Sequence, residues 1–160
     1  MADVGYGLQP GCDENDTSRL NICLDMSSAS GRVESWFPMV KRAVQRWERI
    51  ITTDPWGPWP SAYYGNLDNA DVATERPSTS VDDIYIAVVV GNIDGPGRRY
   101  AEAGPTLLTG NRIVSGSIKI DPNDLQTALD DGIFEGLMMH ELGHVFVSLF
   151  RLSMDIALLS

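Results

Sequence analysis

The 160-residue sequence predicts an α+β domain. Three observations carry this expectation. The stretch "PMVKRAVQRWERII" has the spacing of an amphipathic helix. Two β-branched runs, "VDDIYIAVVV" and "NRIVSGSIKID", read as strands. A later segment, "MMHELGHVF", places both histidines of the chain one helical turn apart. The order is helix, strands, short helix, longer helix, which differs from the strict alternation of a doubly wound sheet.

Residues 1 to about 30 are polar and rich in Gly, Ser, Asp and Asn, and read as an irregular leader. In the first helix, Val40, Ala43, Val44, Trp47, Ile50 and Ile51 fall on one face. Pro38 suits its first turn, where a missing N–H costs nothing. Lys41, Arg42, Arg46 and Arg49 lie mostly off that face and read as a solvated surface. "DPWGPWPSAYYGN", with three prolines and four aromatic residues, reads as a loop folded over the core, and residues 66–80 as a polar loop. Residues 81–90 form a buried strand, and Gly95-Pro96-Gly97 a turn. "AEAGPTLL" is short and interrupted by Gly104-Pro105. In residues 113–120, Ile118 and Ile120 lie on one side and Ser117 and Lys119 on the other. Asp121 and Pro122 supply a cap and a first turn for a helix that ends near Gly132. The last helix runs from Glu135 to about Phe150.

Twenty-two acidic against twelve basic residues give a net charge of -10. Such a surface repels phosphate backbones and anionic membranes, so nucleic acid is not an expected partner. No apolar run approaches the roughly 20 residues of a membrane helix. No basic region followed by an apolar core opens the chain, so no signal peptide is expected. Cys12 and Cys23 fit either a small disulfide loop or two free thiols.

The chemistry concentrates in His140-Glu141-Leu142-Gly143-His144. Residues four apart on a helix share a side, so His140 and His144 can hold one metal ion. Neutral imidazoles suit zinc. Glu141 lies about 100° round from His140. There its carboxylate misses the metal but reaches a metal-bound water, the position of a general base. Gly143 is a poor helix former, costing about 1 kcal/mol against alanine, which implies a close neighbour.

Residues 43–145, about two thirds of the chain, resemble the bacterial and algal relatives of leishmanolysin, a metzincin-type zinc peptidase family. The matching pieces are "VQRWERIIT", "VDDIYIAVVVGNIDGPG", "AEAGPTLL" and "IVSGSIKIDPNDLQTALDDGIFEGLMMHELGHV", in that order. The resemblance implies a zincin or metzincin-like N-terminal subdomain: a twisted, mostly parallel sheet, two main helices, and a zinc site beneath the sheet edge. It implies a zinc-dependent endopeptidase acting on protein or peptide substrates. His140 and His144 would be ligands and Glu141 the general base. An edge strand would hold the substrate, with residues 101–108 as the candidate. It also suggests a secreted or cell-surface setting.

The sequence departs from the family after His144. Val147 stands where relatives carry glycine, and Phe150 where a compact motif has its third histidine. No histidine follows, so the chain reads as a truncated form. Residues 31–150 are the incomplete catalytic subdomain, and 151–160 an atypical extension. The alternative is an inactive pseudo-peptidase, or a zinc- or protein-binding module lacking the third ligand. Asp155, eleven residues past His144, would be a substitute ligand only across a bend in the helix. With two ligands, residues 1–160 are expected to bind zinc weakly and to hydrolyse no protein.

Overall fold

The computed structural model describes residues 20–26, 29, 33–51, 81, 83–110 and 112–157, with side chains as far as residue 146. In chain order these residues form β1 (Ile22–Asp25), α1 (Val33–Ile50), β2 (Ile84–Val90), β3 (Ala101–Thr109), β4 (Arg112–Ile120), α2 (Pro122–Asp130) and α3 (Phe134–Ala157). The strands make one mixed sheet in the order β1-β2-β4-β3. β1 and β4 run parallel to β2, while β3 is antiparallel to β4 and forms an edge. The α+β expectation therefore holds.

Strand alternation divides the core. Ile84, Ile86 and Val88 of β2 join Ile118 and Ile120 of β4 on one face. Trp36, Val40, Ala43 and Val44 of α1 and Met138, Leu142, Val145 and Phe146 of α3 pack into the same cluster. Both long helices thus cover one side of the sheet. On the other side Cys23, Tyr85, Ala87 and Val114 form a smaller cluster with Val81. There the buried Tyr85 hydroxyl donates to Asp25.

Three expectations need correction. Residues 22–25, assigned to an irregular leader, are a strand whose four residues are all buried. Four residues carry too little alternation to announce themselves; parallel pairing with β2 makes them a strand. Helix α1 begins at Val33, so Pro38 lies inside it rather than in its first turn. Burial of Val33 and Trp36 extends the apolar stripe backward past the proline. "AEAGPTLL", read as a short interrupted piece, belongs to a nine-residue strand. An edge accepts proline because the missing N–H faces away from the ladder. The ladder shifts register just after it, between Pro105 and Leu107.

Cys23 is disulfide-bonded and buried. Cys12, the leader to residue 19, the aromatic loop, the polar loop before residue 81 and the side chain of Asp155 lie outside the described residues.

Helix α3 meets the sheet at Gly116 of β4. A Cβ built there would lie 2.6 Å from Val145 Cγ1 and 3.2 Å from the Gly104 carbonyl oxygen. The first contact is far inside van der Waals range, so glycine sets how closely α3 approaches. Gly116→Ala is expected to cost about 1–3 kcal/mol by overpacking. Urea denaturation measures it. Combining it with Val145→Ala should recover part of the loss, because that change removes the clashing methyl. Equal stability of Gly116→Ala and wild type would show that α3 is not seated on this residue.

Candidate metal centre

Helix α3 carries residues 140–144 within one continuous helical stretch. The repeat of four residues brings the two imidazoles together, with Nε2 of His140 and Nε2 of His144 2.9 Å apart. Their rings stand nearly perpendicular, at 88°. Both side chains are exposed to the cleft, whereas Glu141 between them is only 4% exposed. Burial pushes the Glu141 carboxyl above its ordinary value, and the neighbouring His144 and His140 pull it partly back. A carboxyl whose pKa is raised holds a proton more strongly.

The spacing of the two nitrogens is close to that of two zinc ligands. Two nitrogens bound tetrahedrally at 2.0–2.1 Å lie about 3.3 Å apart. The observed separation needs an opening of about 0.4 Å, within reach of a small imidazole rotation. The same short contact suits a hydrogen bond between one protonated and one bare nitrogen. The pair is thus arranged to share a proton or a metal. Among the described residues no third His, Cys, Asp or Glu joins them. Helix α3 continues to Ala157, which carries Asp155 about 16 Å along the axis from His144.

Helix α1 fixes the turn that bears the histidines. The Trp47 indole Nε1 donates to the Met139 carbonyl at 3.0 Å. Its ring stacks at a tilt on Phe146, with centroids 5.2 Å apart. A Cβ on Gly143 would meet the same indole at 3.4 Å, so Trp47 is the close neighbour that the glycine implied. At the start of α3, Glu135 binds Arg42 at 2.7 Å and Arg46 at 3.0 Å. Those two arginines, read as a solvated surface, thus tie α1 to α3 while remaining half-exposed.

Strand β3 forms the opposite wall. A cleft of about 450 Å³ lies between residues 98–103 and Leu137, His140, Glu141 and His144 of α3. The phase of β3 follows from two facts. The Tyr100 carbonyl accepts from Asp121 N at 2.9 Å, and Ala101 pairs with Ile120. Hydrogen-bonded and non-hydrogen-bonded pairs alternate along an antiparallel ladder. Main-chain groups of Tyr100, Glu102 and Gly104 therefore face β4, and those of Ala101 and Ala103 face the edge of the sheet, unpaired among the described residues. Pro105, without an N–H, stands in the same outward phase.

The segment leading into β3 is pinned by two carboxylates. Asp121 Oδ2 accepts from Ile93 N at 2.8 Å, Asp94 N at 3.3 Å and Gly95 N at 3.4 Å. Its Oδ1 accepts from Asn123 N and Asn123 Nδ2. Asp124 Oδ1 accepts from Gly97 N at 2.6 Å. Asp121 is the helix cap that its position before Pro122 implies, and it also organises the glycine turn. The donated N–H groups, led by that of Ile93, hold its pKa at about 2, from an ordinary 3.8. The sign follows: a depressed folded-state pKa gives stability that is present above pH 3.8 and lost as pH falls through about 2. Asp121→Asn should lower the melting temperature at neutral pH, because the amide presents donors where acceptors are needed. The gap between variant and wild type should close as pH falls from about 4 to 2. A gap unchanged across that range would remove Asp121 as the anchor.

His140, Glu141 and His144 of the motif and residues 101–103 of the candidate edge strand line the cleft, together with Arg98 and Arg99, which the sequence pattern does not single out. The available signal was the pair of arginines directly before a candidate edge strand. Compared with known proteins, the chain matches no family model, no curated protein and no solved structure.

Proposed function

We propose that this chain carries the metal- and peptide-binding half of a zinc-dependent endopeptidase. The observation that carries the reading is the convergence of His140 and His144 Nε2 beside a buried Glu141 whose pKa is raised, across a cleft from a strand edge unpaired among the described residues. His140 and His144 would hold the zinc. When bound, the metal supplies Lewis acidity and a water of lowered pKa. Glu141 takes and returns a proton. Ala101 and Ala103 offer outward N–H and C=O groups to an extended peptide, which adds to the sheet as a further strand. The resemblance to leishmanolysin-like peptidases points to the same arrangement. A disulfide at Cys23 suits an oxidising compartment, the setting of secreted peptidases.

A second reading has one observation in its favour. Two donors stand together among the described residues, and catalytic zinc takes three protein ligands plus water. The cleft would then bind peptide and a loosely held zinc without turnover. Cleavage of casein with zinc, with and without a chelator, separates the two. Chelator-sensitive cleavage supports the peptidase. Zinc and peptide binding with no cleavage supports the binding module.

No described helix is long and apolar enough to cross a membrane.

A further inference from the structure

We infer that the cleft selects peptides bearing an acidic side chain, and that Arg98 is the residue that recognises it. The inference rests on the cleft being a peptide site, and it adds the class of substrate.

Arg98 and Arg99 both line the cleft, on the wall facing His140, Glu141 and His144. Their surroundings differ. The Arg99 guanidinium is engaged by Glu102 at 2.9 Å, and its backbone N–H by Asp94 at 3.1 Å. Arg98 has no ion pair or side-chain hydrogen bond among the described residues. Lys41, Arg49, Arg112 and Lys119 are likewise without a partner among the described residues, but Arg98 alone of these lines the cleft. The remaining charges of the lining, Glu102 and Glu141, are accounted for. One is paired with Arg99, and the other is buried on α3. Arg98, unpaired among the described residues, therefore lines a groove on a molecule of net charge -10.

The position of Arg98 is built. Asp124 holds Gly97 N, directly before it, and Asp121 holds three N–H groups at residues 93–95. The Tyr100 carbonyl, directly after Arg99, is fixed to Asp121 N. Arg98 thus stands three residues before Ala101, the first outward-facing position of β3. A peptide laid along that edge brings a side chain to Arg98 while its main chain pairs with Ala101 and Ala103. Guanidinium and carboxylate match in planar, bidentate geometry, which an amide isostere does not reproduce.

The test uses two short fluorescein-labelled peptides of the same β-prone sequence, one with a central glutamate and one with glutamine in its place. Both are amidated, so that the side chain is the sole carboxylate. Binding to the 160-residue chain is read by fluorescence anisotropy. The glutamate peptide is expected to bind about three- to tenfold tighter, the range of one partly solvated charge-assisted contact. Added salt should shrink the preference. Arg98→Gln should abolish it, and Arg98→Lys should keep part of it. Equal binding of the two peptides, binding of neither, or a preference that survives Arg98→Gln overturns the inference. Zinc titration of the same samples keeps the two claims apart. An acid preference without zinc binding leaves this inference standing and removes the metal reading. Zinc binding without an acid preference does the reverse.

Discussion

Glu141→Gln is expected to leave zinc bound and to reduce peptide hydrolysis by about two to four orders of magnitude, in a zinc-loaded form of the protein that turns over substrate. The carboxamide keeps the size and hydrogen-bonding shape of the side chain but cannot take a proton from water. Glu141 is buried on α3 with the two imidazoles on either side. Packing is therefore preserved, and the change isolates the proton transfer. The raised proton affinity of the wild-type carboxyl, caused first by burial, is what the amide removes. Metal content by atomic absorption and cleavage of a fluorogenic peptide are the paired readouts. Wild-type turnover in the variant would end the general-base assignment. Loss of metal along with activity would mean that Glu141 acts on the site's structure.

His144→Ala is expected to release the metal altogether. The two Nε2 atoms lie 2.9 Å apart, and one imidazole alone is an ordinary surface histidine. Losing one of two described donors removes chelation, and retention at wild-type level would require other ligands. His140→Ala should behave in the same way, because the two Nε2 atoms meet across one helical turn. Neither substitution is expected to unfold the chain, since both side chains are exposed. A melting temperature near that of the wild type checks that point.

The pair was legible in the sequence because helical period alone brings residues four apart together. α2, β2 and β4 were legible for similar reasons: a cap with proline after it, and β-branched runs. What escaped depends on distant partners. β1 is a strand because β2 lies beside it. β3 survives Gly104-Pro105 because it is an edge whose outward phase tolerates proline. Trp47 was readable as an apolar helix position, but its grip on Met139 and Gly143 joins residues some ninety positions apart. The same holds for Asp121 and Asp124, which pin a turn 26 to 28 residues earlier in the chain. Local patterning reports which face is apolar, and it is silent on which carboxylate meets which N–H.

Calorimetric titration of the 160-residue chain with zinc bears most directly on the central claim, beside a variant carrying both His140→Ala and His144→Ala. The account predicts one zinc per wild-type chain, with a dissociation constant in the micromolar range or weaker because two donors stand together among the described residues. It predicts no saturable binding to the double variant. Absence of binding to the wild type, or binding that survives loss of both histidines, would contradict it.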